Sequence, residues 1–323
     1  MKILVFSKDR PMQLHGYLES LFKYSDAKDV TVLLKSIYPY KKVREAFPQV
    51  NFIVEYNFGR QLREFIESTT DYIMFGCDDV VFTDDLCLKE ACEYLGQNDD
   101  VFGFSLRLGD NIKGLPEHEV NENVYSWNWN GPVDDYHYPW EMDCTIYRAS
   151  DVKELIRNVN HPIINPNYLE DEYAVHLEAI LRPKLACFSG KGKGIVITVN
   201  RCVETHNNPV FGNDNTDLDS LYRMYEEGYL MDIEKISELE TDKIHVGDKY
   251  FILKKAENKG EKKRMYVGER FKKNGKTYEV TAIISDTNYA FKEVGNEPVF
   301  APSFTEEVEE VKETKAKRGR KKV

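Results

Sequence analysis

The feature that most narrows the possible folds is an alternation: short apolar runs, each followed by a polar loop and then by a stretch with helical spacing. Residues 2–6 (KILVF) read as a buried parallel strand, residues 7–10 as a polar loop, and Pro11 as the opening of a helix. Leu14, Tyr17, Leu18, Leu21 and Phe22 share one face of that helix. Apolar runs at 30–34 and 52–54 flank a short helix at 41–47. An amphipathic helix at 59–68 leads into the strand 72–75, which runs directly into Gly76-Cys77-Asp78-Asp79. Further strands are predicted at 101–106, 185–188 and 195–199, and helices at 84–95, 151–159, 170–181 and 217–227, with Ser150 capping the second of these. Such an order predicts an α/β fold with a mostly parallel central sheet covered on both faces.

A chain of 323 residues with 41% hydrophobic content has room for one large core and a smaller second unit. From about residue 243 the pattern changes to short β-rich pieces separated by Gly and Lys turns. The expected division is a main domain over 1–240, a small β-rich basic domain over 241–302, and a disordered charged tail over 303–323. Charge divides with it. Residues 241–323 hold 20 Lys and Arg against 14 Asp and Glu, which leaves 24 against 41 in the preceding 240. An acidic body thus precedes a module suited to a polyanion. No stretch approaches the ~20 apolar residues of a membrane span, and the opening MKILVFSKDR has no signal-peptide pattern, so a cytoplasmic protein is expected. The 6 cysteines form no C-x-x-C pairs, which argues for reduced core thiols and against a structural zinc site.

In open α/β sheets ligands bind beyond the carboxyl ends of the strands. Two loops answer that description, residues 7–10 and residues 76–79. Asp78 and Asp79 follow a buried strand and offer hard oxygen ligands suited to Mg2+ or Mn2+ on a diphosphate; two acids merely opening a loop would look the same. Three further segments stand out. The stretch 107–142 carries all three tryptophans and reads as a binding loop, residues 170–172 (EDE) place acids at a predicted helix start, and 190–194 (GKGKG) is flexible and cationic.

The order of ILVFSKDRPMQLHGYLESL, DYIMFGCDDVVF, WEMDCTIYRASDV, NPNYLEDEY and VNRCVETHNN resembles the GT-A glycosyltransferases, including the family-two-like enzymes of bacteria and phages, over roughly residues 1–230. The resemblance implies a nucleotide-diphospho-sugar transferase fold and a metal-dependent transfer from a nucleotide-sugar donor, such as a UDP-sugar, to a hydroxyl. On it, Asp79 and His206 become the metal ligands, and Asp78 a donor contact. Ser7, Asp9 and Arg10 then surround the nucleotide, and Lys191 and Lys193 close over the diphosphate. Asp171 or Glu170 becomes the base that activates the acceptor, while Trp140, Glu141 and Asp143 line the acceptor side. The strict D-x-D form is replaced here by Cys77-Asp78-Asp79.

The basic C-terminus, its RGRKK tail and the aromatic loop point to a nucleic-acid acceptor, for example a hydroxylated or hydroxymethylated pyrimidine in phage DNA. A surface glycan acceptor is the alternative. A non-catalytic nucleotide or nucleic-acid binding module is a further one.

Overall fold

A computed structural model describes residues 1–132, 134–159, 161–174, 182–202, 210–213 and 215–256, together with 267–268, 270–273, 276–285, 288–294, 298–300 and 309–310. The chain divides into two compact units, Met1–Ala256 and Glu257–Val323.

The first unit opens with strand β1 (Lys2–Lys8), helix α1 (Pro11–Tyr24), β2 (Val30–Lys35), α2 (Lys41–Ala46), β3 (Asn51–Val54), α3 (Phe58–Glu67) and β4 (Tyr72–Cys77). The interior residues of β1, and all of β2 but its last, are buried, as both-face covering requires. Pro11 begins α1 because a first-turn residue needs no N–H partner, and Met12, Leu14, Tyr17, Leu18 and Leu21 are buried along the helix. Gly76 on β4 lets the chain pass under α1, since a Cβ there would collide with the Tyr17 hydroxyl.

Then follow β5 (Val80–Phe82), α4 (Leu88–Gln97), β6 (Val101–Ser105), β7 (Glu119–Asn121), β8 (Val124–Asn128), β9 (Thr145–Arg148), α5 (Ala149–Arg157) and α6 (Pro166–Ala174). The unit closes with β10 (Lys184–Phe188), β11 (Gly194–Ile197), α7 (Leu218–Glu226), β12 (Tyr229–Met231), α8 (Ile233–Ser237), β13 (His245–Val246) and β14 (Leu253–Lys255).

The main sheet has the order β3-β2-β1-β4-β9-β6-β10-β8-β7. β3, β2, β1 and β4 pair in parallel, as do β6 and β10. β9 enters antiparallel between β4 and β6, and β8 lies antiparallel on β10. All but β8 and β9 therefore run one way, giving the mostly parallel sheet expected. After β4 the chain leaves this sheet: β5 joins a second one of order β13-β11-β5. Asp78 and Asp79 occupy the two positions at which it crosses over.

Three expectations are corrected. Residues 241–256 belong to the first unit, not to a C-terminal module, because β13 pairs with β11, β14 pairs with β12, and Ile244, Val246 and Tyr250 are buried. α6 begins at Pro166, so Glu170 sits inside the helix rather than at its start. The N-cap of α5 is Arg148, and the Ser150 hydroxyl donates to Asp151 instead.

The second unit holds β15 (Arg270–Lys273), β16 (Lys276–Ser285), β17 (Asn288–Glu293), β18 (Pro298–Phe300) and β19 (Glu309–Glu310), an antiparallel sheet of order β18-β17-β16-β15-β19. No helix among the described residues is long and apolar enough to cross a membrane. All six thiols are free.

Candidate functional site

A cavity of about 720 Å3 lies beyond the carboxyl ends of β1, β2 and β4, within the size range of small-molecule sites. Its walls include Ser7 and Lys8 at the end of β1, Arg10 just after it, Lys35 on β2, Asp78 and Asp79 after β4, and Asn200 and Arg201 beyond β11. Residues 134–143 contribute Asp134, Asp135, Tyr138, Met142 and Asp143, and α6 contributes Glu170.

The floor is a bonded network around Asp78. This carboxylate is 3% exposed and accepts from the Ser7 hydroxyl at 2.8 Å, the Lys8 backbone N–H at 3.2 Å and Arg10 Nη1 at 3.0 Å. Because Ser7 gives its proton to a carboxylate, the Tyr40 hydroxyl 2.9 Å away must donate to Ser7 Oγ, while it accepts the Arg10 N–H at 2.8 Å. Arg10 continues the network: Nη1 reaches Asp79 Oδ2 at 2.9 Å, and Nε and Nη2 bind the side-chain and main-chain carbonyl oxygens of Asn200. Burial pushes the Asp78 carboxyl up to about 6, against the pull of Arg10 and with the help of Asp79. The Asp79 backbone is fixed as well, since its carbonyl accepts from Ile197 N–H at 2.8 Å.

A second buried cluster adjoins the first. Arg107, 7% exposed, pairs with Glu141 at 2.9 Å and approaches Asp143 at 3.7 Å. Burial raises both carboxyls above their ordinary values while Arg107 opposes the rise; Asp79 adds to the rise at Asp143. His245, on β13, completes this wall. Its ring Nδ1 is buried without a hydrogen-bond partner, and burial holds its pKa below the ordinary value.

Ser7, Arg10, Asp78, Asp79, Asp143 and Glu170 thus line one cavity. Others do not line it. The Asp9 carboxylate turns away to accept from the Ile37 N–H at 2.8 Å, with its own backbone at φ 59. Trp140 is 1% exposed and packs on Phe75, Phe102 and Tyr147, with its Nε1–H donating to Leu169 O at 3.0 Å; it is a core residue and not a stacking platform. Glu141 is 3% exposed and acts from behind the wall through Arg107. Lys191 pairs with Glu240 and Lys193 with Asp84, so neither points at the cavity. The Asp171 side chain and His206 lie outside the described residues, as does the RGRKK tail.

Tyr40, Asn200, Arg107 and His245 went unnoticed in the sequence. His245 carried a signal, a strand-like Ile244-His245-Val246, but it fell past the expected domain boundary. Arg107 followed a predicted strand, the position where function is sought.

No family model matches the chain. It is similar to the bifunctional glycosyltransferase pgtA of Dictyostelium discoideum, 29% identical over 297 residues that cover 77% of this chain. The chain spans 38% of the length of that protein. A UTP-bound UGPase structure from Acinetobacter baumannii aligns at a TM-score of 0.35 and 7% identity, covering 61% of this chain and 88% of the other. A score of that size does not establish a shared fold.

Proposed function

We propose that the first unit is a GT-A-type glycosyltransferase that transfers a sugar from a nucleotide-diphosphate donor to a hydroxyl. The observation that carries this is the Asp78–Asp79 pair, fixed where the chain crosses from one sheet to the other and facing a cavity at the carboxyl ends of parallel strands. Similarity to a glycosyltransferase over 297 residues supports it. Lys8 fits the donor diphosphate: its ammonium lines the cavity, is held by the Cys202 carbonyl at 2.5 Å and forms no ion pair among the described residues. Arg10 has its charge shared by two aspartates and serves to hold them in place.

The acids differ in what they can still bind. Asp78 is saturated by Ser7, Lys8 and Arg10 and is a framework residue. Asp79 has one carboxylate oxygen with no hydrogen bond among the described residues. Among those residues no three His, Cys, Asp or Glu side chains are placed to hold a metal ion. Mn2+ or Mg2+ would sit on Asp79, with His206, which lies outside the described residues, as a second protein ligand, and would neutralise charge on the leaving group. On the acceptor side, Glu170 lines the cavity and Asp171 follows it on α6, and one of them takes the proton of the attacking hydroxyl.

Isothermal titration with UDP-, GDP- and CDP-sugars, with and without Mn2+, tests the reading. Asp79→Asn is expected to weaken Mn2+-dependent donor binding at least tenfold and to abolish turnover. Unchanged donor binding in that variant, with no turnover in the parent chain, would instead indicate a non-catalytic binding module.

A further inference from the structure

One end of the cavity lies outside the Asp78 network. Phe6 and Lys8 share a face of β1, and their register partners Leu33 and Lys35 continue that face on β2. Glu55 follows β3 one residue after Val54, the partner of Leu34, so it joins Lys35 on the cavity side. Its N–H donates to the Leu34 carbonyl at 2.7 Å, which fixes its backbone. Phe58 at the start of α3 and Ile164 just before α6 add apolar surface to the same cavity. Neighbouring strands lie ~4.8 Å apart, so in the order β3-β2-β1-β4 the ends of β2 and β3 are displaced sideways by about 10 and 14 Å from the end of β4, where Asp79 sits.

Lys35 and Glu55 form an ion pair, Nζ to Oε1 at 3.1 Å, with side chains 58% and 16% exposed. Both therefore keep surface that a ligand can reach. Glu55 Oε2 has no hydrogen bond among the described residues. The pair offers a donor, Nζ, beside an acceptor, Oε1, beside a second acceptor, Oε2. Its charges cancel, which suits a neutral ligand edge, while phosphate has Lys8 on β1 and Arg201 beyond β11. A nucleobase edge is a neutral row of this kind. Guanine presents O6 as an acceptor, then N1–H and the N2 amino group as donors, and complements all three places. Uracil presents acceptor, donor, acceptor, and sets its last carbonyl against Oε2. Cytosine sets N3 against Oε1 in either direction. Adenine has only its N6 amino group and N1 to offer and leaves one carboxylate oxygen unmet. Acceptors that face each other leave both without a donor, and a site built to hydrogen-bond rejects such a ligand.

We propose that Lys35 and Glu55 read the base of the donor and that the base is guanine, so that the sugar arrives as a GDP-sugar. The assignment rests on the transferase reading. Lys35 Nζ donates to O6, and the two Glu55 oxygens accept from N1–H and the N2 amino group. Phe6, Leu33, Phe58 and Ile164 supply apolar contacts to the ring. The diphosphate then runs across the strand ends, past Lys8, to Asp79.

The test is isothermal titration of the full chain, in Mn2+, with GDP, UDP, CDP, ADP and inosine diphosphate, which is GDP without the N2 amino group. GDP is expected to bind at least tenfold more tightly than UDP, CDP or ADP, and about tenfold more tightly than inosine diphosphate. In Glu55→Ala the advantage of GDP over inosine diphosphate should fall below about twofold, because the oxygen that senses the amino group is gone. Lys35→Met should weaken both by the same factor, since both carry O6. Equal or tighter binding of UDP, CDP or ADP by the parent chain overturns the assignment and leaves the transferase reading intact. So does equal binding of GDP and inosine diphosphate, or a preference between them that persists in Glu55→Ala. If none of the five binds, nor any sugar nucleotide in the titration above, the transferase reading itself fails and the assignment falls with it. Circular dichroism of both variants separates loss of base recognition from loss of fold.

Discussion

Replacing Arg10 with alanine should destabilise the first unit by an amount that depends on pH in a calculable direction. The guanidinium joins Asp78, Asp79 and Asn200, and it is 8% exposed. Removing one partner of a buried ion pair costs about 3–5 kcal/mol, because the remaining charge stays out of water. That cost is relieved when Asp78 takes up a proton. In the parent chain its carboxyl is raised from the ordinary 3.8 to about 6, chiefly by burial. A raised acid keeps its proton in the folded state where the unfolded chain has released it, so this group's contribution to stability falls as pH rises from about 4 to about 6. Without Arg10 the carboxyl rises further, and each added unit extends the loss upward by about 1.4 kcal/mol. The penalty of Arg10→Ala is then expected to be about 3–5 kcal/mol at pH 8. At pH 5, where Asp78 is largely protonated in both chains, it should shrink to about 1–2 kcal/mol, from the lost bonds to Asp79 and Asn200. His15, which burial holds at about 4, titrates alike in both chains and cancels. Urea titration followed by tryptophan emission reads the right unit, since Trp127, Trp129 and Trp140 all lie in it. An equal penalty at pH 5 and pH 8, or one below about 1 kcal/mol at pH 8, would refute the claim that Arg10 compensates two ionised acids.

Two further expectations concern the scaffold. Tyr40→Phe removes the hydroxyl that links the Arg10 N–H to Ser7 Oγ, and should cost about 1–3 kcal/mol in urea titration through the buried N–H it orphans. Truncation after residue 256 should leave a folded unit that still binds donor. Truncation after residue 240 should not: it strips buried Ile244, Val246, Tyr250 and Phe251, worth about 1.5–3 kcal/mol each, which together rival the whole stability of a domain. Circular dichroism and donor titration on the two fragments decide it.

What could be read from the sequence was whatever local chemistry decides. The unbroken apolar runs of β1 and β4 announce strands buried on both faces, and the polar residues immediately after them announce the ligand end of the sheet. Ser7, Arg10, Asp78 and Asp79 were found in this way. Pairing over long separations was not legible: nothing in residues 145–148 says that β9 will insert antiparallel between β4 and β6. Side-chain roles failed where a residue type has two uses. Trp140 has an indole N–H suited to a ligand's acceptor atom, but the Leu169 carbonyl accepts it inside the core. Lys191 and Lys193 looked like free cations until Glu240 and Asp84 were seen beside them. His245 was lost to a composition shift at residue 241 that marks a change in charge, whereas the packing boundary falls at Ala256.

The late return of the chain to β11 has a consequence for how the protein is made. Ser7 is synthesised more than two hundred residues before His245, which lines the same cavity and is among the last residues of its unit. Contacts so distant in sequence form slowly, because a long loop must close before they repay its entropy. Until β13 arrives, the nascent chain carries a gap on one side of its binding cleft and leaves the β11 edge unpaired, an invitation to aggregation that ends only when residues 245–246 dock.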